Sequence, residues 1–267
     1  MYQFNYHKPA NLTDAVSIFQ SSDDPMYLSG GMTLIPTMKQ RLASPTDLID
    51  LSGISELTGI KVSDAVVSIG GFTRHNVVGD SVEIAARLPV ICELVGQIGD
   101  NQVRNRGTMG GSVANSDPAA DYPAAVVGLG ATVVTQEREI SGDDFFKDLF
   151  ETELNPGEII TRIDFPVAQR AAYCKFPNPA SRYAVVGVLV AEFSDGVRVG
   201  VTGAGPCAFR ATGIENVLNA ELHPSAINSV EVPEAGFNSD LHASPEYRAH
   251  LVKIMAKRAT EALLARS

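Results

Sequence analysis

Residues Met26 to Ser29 read as a short strand, Gly30 and Gly31 follow at once, and Leu34, Ile35, Met38 and Leu42 then fall at helical spacing. A strand that passes into a helix across two glycines constrains this chain more than any other feature. The glycines let backbone approach a ligand closely, and the first amides of the helix are free to meet an anion. Pro36 is compatible with the first helical turn, where its missing N–H would have had no intrahelical partner. Leu48 to Leu51 reads as the next strand, so the pattern predicts a small βαβ unit with parallel strands and a right-handed crossover. Asp50 stands about where a dinucleotide fold places its ribose-binding acid, yet the glycine spacing is not GxGxxG and no P-loop lysine follows. Neither standard nucleotide fingerprint applies.

A second unit follows. Val66 to Ile69 reads as a strand ending on Gly70 and Gly71, and the apolar residues from Val82 to Val95 predict helix interrupted near Pro89. From Gln97 to Asp121 the chain is dense in Gly, Asn, Asp and Arg, which predicts a functional loop. Its centre, Gln102-Val-Arg-Asn-Arg-Gly-Thr-Met-Gly-Gly-Ser-Val-Ala-Asn115, carries another glycine pair and several side chains able to hydrogen-bond a diphosphate or a ribityl chain. Two such cradles suit one elongated, doubly phosphorylated ligand. In Ser116-Asp-Pro-Ala-Ala-Asp-Tyr-Pro123, either Asp117 or Asp121 is placed to cap the following helix, Tyr122 to Leu129. Strands are expected at Ala131 to Thr135 and Ile159 to Phe165, with a linker at Val167 to Ala172. Beyond it, Ala184 to Phe193 and Val197 to Val201 flank Asp195-Gly196 as a hairpin, and Pro245 to Ala265 has helical periodicity.

Composition narrows the function. The formal net charge of the 267 residues is -10, which disfavours nucleic acid and anionic membrane as partners. No apolar run is long enough to cross a bilayer, and Met1 to Pro9 lacks the order of a signal peptide, so a cytoplasmic location is expected. Cys92, Cys174 and Cys207 lie far apart, with none of the spacings that hold zinc or an iron-sulfur cluster. His7, His75, His223, His242 and His250 show no metal-ligand spacing. No catalytic residue and no metal site are expected on this chain.

The segments LSGGMTLIP, QVRNRGTMGGSVANSDPAADYPA and GEIITRIDFP together resemble the medium, FAD-binding subunit of molybdenum hydroxylases, the group of carbon monoxide dehydrogenase, xanthine dehydrogenase and aldehyde oxidoreductases. The resemblance runs from Phe4 and Lys8-Pro9 to the TGAGP around Gly203. It implies an α+β chain: a two-lobed FAD-binding domain over residues 1–168, with sub-lobes of about 1–55 and 56–168, and a smaller α+β C-terminal domain over 169–267. It also implies that Ser29, Gly30, Gly31, Met32, Thr33 and Leu34 wrap the FAD diphosphate. Thr108, Gly110, Gly111 and Ser112 would follow the ribityl-diphosphate, with Asn115 and Asp117 close by and Ile98 towards the other end of the cofactor. Asp121 would accept a hydrogen bond from a hydroxyl-bearing part. Ser112 stands where Asn is usual, which removes one expected hydrogen bond. Ile159 and Ile160 would pack on the isoalloxazine ring, and Lys175 would lie near its pyrimidine edge and favour negative charge on the reduced flavin. Arg104, Arg106 and Arg182 are further candidates for a phosphate.

The same resemblance implies an oxidoreductase subunit that passes electrons from two [2Fe-2S] clusters on a small partner subunit, through FAD, to an external acceptor. A large partner subunit would hold the molybdenum-pterin cofactor, giving a heterotrimer or a dimer of heterotrimers. CO, an aldehyde, a purine or another N-heterocycle as substrate, and NAD, quinone or oxygen as acceptor, are all compatible. The alternatives are a self-contained FAD-dependent oxidoreductase of related fold and a cofactor-free scaffold. A branched side chain at Gly110 is expected to abolish FAD retention and leave the fold largely intact.

Overall fold

The computed structural model describes residues 1–266; Ser267, the last residue of the expected C-terminal domain, lies outside the described residues. Three larger sheets follow one another along the chain. The first is all parallel, with β1 (Asn5–His7) and β2 (Pro25–Leu28) on either side of β3 (Asp47–Asp50). Helix α1 (Leu12–Ser21) links β1 to β2, and α2 (Leu34–Lys39) links β2 to β3, so the expected parallel βαβ unit forms. The added strand β1 and helix α1 were not evident in the sequence pattern. Asn11 caps α1 by accepting from the Asp14 amide.

The second sheet has the order β4-β5-β10-β6-β7 and is antiparallel, formed by β4 (Ile60–Val62), β5 (Val66–Gly70), β6 (Thr132–Thr135), β7 (Glu139–Ser141) and β10 (Ile160–Pro166). Between β5 and β6 the chain builds six short helices: α3 (His75–Gly79), α4 (Val82–Arg87), α5 (Pro89–Gly96), α6 (Asn101–Arg106), α7 (Met109–Asn115) and α8 (Tyr122–Gly128). The break between α4 and α5 falls at Pro89, as its missing amide requires. The region read as loop, Gln97 to Asp121, instead contains α6 and α7. Their apolar content is low, but Asp100 and Thr108 cap them, accepting from the Val103 and Gly111 amides. Helix α9 (Gly142–Phe145) and the ribbon of β8 (Phe146–Asp148) and β9 (Glu151–Thr152) lead back to β10.

The third sheet is antiparallel, in the order β11 (Arg170–Pro177), β12 (Ala184–Phe193), β13 (Gly196–Thr202) and β14 (Phe209–Arg210). Strand β11 begins inside the segment expected to be a linker. The hairpin at Asp195-Gly196 forms as expected, with Phe193 opposite Gly196. The largely apolar sequence of β12 follows from burial on both faces. Leu189 and Ala191 join the core under α8, while Val186, Val188 and Val190 join the core under α11 (Pro245–Leu264). Helix α10 (Thr212–Ala220) covers β13. Because Tyr173, Leu189 and Ala191 pack with Val67, Ile69 and Ile163 of the second sheet, the second and third sheets share one core.

Candidate cofactor site

The loop between β2 and α2 lies directly on the chain between α6 and α7. A Cβ on Gly30 would stand 2.4 Å from the Arg106 carbonyl oxygen and 2.7 Å from Gly107 Cα. Gly31 has φ +72°, a left-handed backbone that a side chain there would strain. Ser29 Oγ and Thr108 Oγ1 are 2.6 Å apart and join the two loops. One layer further in, the Gly110 amide donates to Gly71 O at 2.8 Å, and a Cβ on Gly110 would lie 2.7 Å from that oxygen. Close approach is thus required at Gly30 and Gly110, but the partner is protein backbone. The expectation that Gly110 leaves space for a ligand, so that a branched residue would spare the fold, is corrected by this packing.

The two loops differ in which donors remain free. At the start of α7 the amides of Met109, Gly110 and Gly111 donate to Thr73 O, Gly71 O and Thr108 Oγ1. In the first loop, the amides of Gly30, Gly31, Met32, Thr33 and Leu34 find no acceptor among the described residues. Successive N–H groups without a protein acceptor are the kind of donors an anion can engage.

These amides border a cleft of about 840 Å³, the size of a small-molecule site. Ser29, Gly30, Gly31, Met32, Thr33, Leu34, Ile98, Thr108, Gly110, Gly111, Ser112, Asn115, Asp117, Asp121, Ile159 and Ile160 all line it. Of the arginines, Arg182 lines it too, whereas Arg104 turns back to Ile98 O at 2.7 Å. Lys175 does not line the cleft. Its side chain is 2% exposed and its ammonium lies 2.9 Å from Asp121 Oδ1, so its charge is compensated inside the protein.

Asp121 is therefore engaged differently from the expected helix cap. Its backbone is already helical and its side chain makes no cap bond; it accepts from Tyr173 Oη at 2.5 Å and from Lys175 Nζ. Burial pushes its carboxyl pKa up, against the opposing pull of the Lys175 charge and the Tyr173 hydroxyl. Asp117 does not cap the helix either: its Oδ1 accepts from the Ala119 amide at 2.9 Å, and burial raises its pKa. Ser116, with φ 45°, ends α7 and turns the chain towards these two acids.

Also on the cleft, Ile159 packs in the core of the first sheet and Ile160 in that of the second, so adjacent residues straddle the two lobes. Glu158 fixes them. Its carboxylate takes Nε and Nη2 of Arg138, each at 3.0 Å, with the Thr135 hydroxyl at 2.7 Å and the Asn155 amide at 2.7 Å.

Sequence patterns missed His75, Tyr27, Phe72 and Tyr183, which also line the cleft. His75 is 4% exposed and its Nδ1 has no partner among the described residues; burial, with Arg104 nearby, lowers its pKa to about 4. An imidazole so placed is neutral at pH 7. A single histidine without a spacing pattern offers no sequence signal of this kind.

Free amides, hydroxyls, the buried Asp121, the half-buried Asp117 and a pair of isoleucines thus line one cleft. The FAD-binding domain model of molybdopterin dehydrogenases matches residues 2–168, and the chain belongs to that family. It is 32% identical to the glyceraldehyde dehydrogenase medium chain of Sulfolobus acidocaldarius, over 96% of this chain and 97% of that one. It is 33% identical to the carbon monoxide dehydrogenase medium chain of Afipia carboxidovorans, over 99% of this chain and 98% of that one. A chain of the reconstituted CO dehydrogenase from Oligotropha carboxidovorans superposes with a TM-score of 0.92 at 33% identity, covering 100% of this chain and 99% of that chain.

Proposed function

We propose that this chain is the flavin-carrying medium subunit of a heteromeric molybdenum hydroxylase, with FAD seated in the cleft that the two joined glycine loops border. The observation that carries the reading is the row of five unpaired amides from Gly30 to Leu34 beside the Ser29–Thr108 bridge. It supplies what a diphosphate requires, in a cleft that Ser112, Asn115, Ile159 and Ile160 also line.

In this reading residues 1–168 are the FAD-binding domain and 169–267 the C-terminal domain. The amides of Gly30 to Leu34 bind the diphosphate, Thr108, Gly110 and Gly111 support that loop, and Ser112, Asn115 and Asp117 offer polar atoms along the ribityl chain. Asp121 accepts a cofactor hydroxyl, Ile98 closes one end, and Ile159 and Ile160 shelter the ring from water. Lys175 acts through Asp121. Bound FAD would supply the redox chemistry, exchanging electrons with iron-sulfur clusters on a small subunit and with an external acceptor; substrate would react at a molybdenum-pterin cofactor on a large subunit. No helix among the described residues is long and apolar enough to cross a membrane, and we place the complex in the cytoplasm.

Equilibrium titration of the flavin-free chain with FAD, followed by flavin fluorescence, tests the proposal. One FAD per chain supports it, with binding lost when Gly31→Val strains the amide row. A chain that takes up no FAD contradicts it.

A further inference from the structure

Behind the cleft, Asp121 is held from one side only. Tyr173 Oη donates to its Oδ1 at 2.5 Å, and Lys175 Nζ lies 2.9 Å from Oδ1 and 3.1 Å from Oδ2, while also donating to Gln97 O at 2.8 Å. A carboxylate offers about four lone-pair sites. Two hydrogen bonds reach it, one on each oxygen and both from β11, so acceptor capacity remains on a residue that borders the cleft.

Tyr173 reaches Asp121 across Gly187, which sits opposite Lys175 in the sheet. A Cβ on Gly187 would stand 2.2 Å from Tyr173 Oη and 3.0 Å from Thr202 Cγ2. A glycine interrupts the apolar run of β12 at the point where the phenol crosses it. This explains a residue that strand propensity disfavours.

We infer that Tyr173 is a positioning residue of the cofactor site: with Lys175 it orients the Asp121 carboxylate so that one lone pair accepts one hydroxyl of the bound ligand, and Gly187 provides the space for it. The inference rests on the reading of the cleft as the FAD site. The ligand group is a neutral hydroxyl of a polyol or ribose, because the Lys175 charge already balances the carboxylate. Lys175 and Tyr173 on β11, Tyr122 on α8, Tyr183 after β11, and Asp117 are the titratable groups around Asp121. Loss of the phenol removes one of the two groups that oppose the effect of burial on the Asp121 pKa. Protonated Asp121 is then populated at higher pH.

The test is a double-mutant cycle on FAD affinity, using Tyr173→Phe and Asp121→Asn in the full chain at several pH values. Tyr173→Phe is expected to weaken FAD roughly 10- to 100-fold, the effect of losing one hydrogen bond to a charged group. It should also move the acid limb of the binding profile to higher pH. In the Asp121→Asn background the same change should have little further effect. Gly187→Ala should reproduce the Tyr173→Phe profile with the phenol still present. Wild-type affinity and an unshifted profile in Tyr173→Phe, or additive losses in the cycle, overturn the inference and leave the cofactor reading standing. FAD binding by Asp121→Asn as tight as in the wild type overturns Asp121 as a cofactor ligand, and Tyr173 with it. A wild-type chain that binds no FAD sinks the cofactor reading itself.

Discussion

Ser29 Oγ and Thr108 Oγ1 lie 2.6 Å apart, 79 residues apart in sequence, and this contact joins the two glycine loops into one wall. Thr108 also caps α7 by accepting from the Gly111 amide. Thr108→Val removes both interactions while keeping the side-chain shape. It should cost about 1–2 kcal/mol of stability, measured by urea unfolding of the flavin-free chain. Ser29→Ala should cost less, since it removes only one partner. Equal losses in the two variants would contradict the double role of Thr108.

Gly110→Ala should destabilise the flavin-free protein, because its new Cβ would stand 2.7 Å from Gly71 O. Overpacking against backbone costs about 1–3 kcal/mol. A melting temperature equal to wild type, with FAD binding lost, would restore the simpler view in which this glycine only admits the ligand.

Arg248 of α11 ties the third sheet to the cleft. Its Nη1 donates to Val185 O at 2.7 Å and to Gly203 O at 2.8 Å, and its Nη2 donates to Asp240. The neighbouring Ala184 and Gly203 amides donate to Ala119 O and Pro118 O, next to Asp117 and Asp121. Arg248→Met should cost on the order of 3 kcal/mol by leaving two buried carbonyls unpaired. Lysine should not restore it, since one ammonium lacks the planar fork. Full rescue in Arg248→Lys would refute the clamp.

His75 makes the flavin-free protein acid-sensitive. Its folded pKa of about 4 lies below the ordinary value of 6.5, so the unfolded chain binds the extra proton between these limits. Stability should therefore fall as pH drops from about 6.5 towards 4, by up to about 3 kcal/mol. Urea unfolding at pH 7 and pH 5 should show a smaller drop for His75→Gln than for wild type. The same drop in both would remove His75 as the cause.

Much of this was legible in the sequence where one physical cause dominates a segment. The β2-Gly30-Gly31-α2 passage, the break at Pro89, the hairpin at Asp195-Gly196 and the long α11 each follow from local periodicity or turn chemistry. Helices α6 and α7 did not, because they are set by caps and by packing against Gly71 and Gly30, not by an apolar stripe. Asp121 as a helix cap was a reasonable local reading. A tyrosine and a lysine more than fifty residues away claim that carboxylate, and no local pattern encodes such a partner. The glycine pairs line the cleft, but their immediate role is to bring the two loops into contact.

The most direct test is the FAD stoichiometry and flavin absorbance of the chain purified in its native complex, compared with a variant in which Gly31→Val disrupts the amide row. One FAD per medium subunit in the wild type, and none in the variant, is the predicted result. A wild-type chain without flavin that also refuses added FAD would contradict the account.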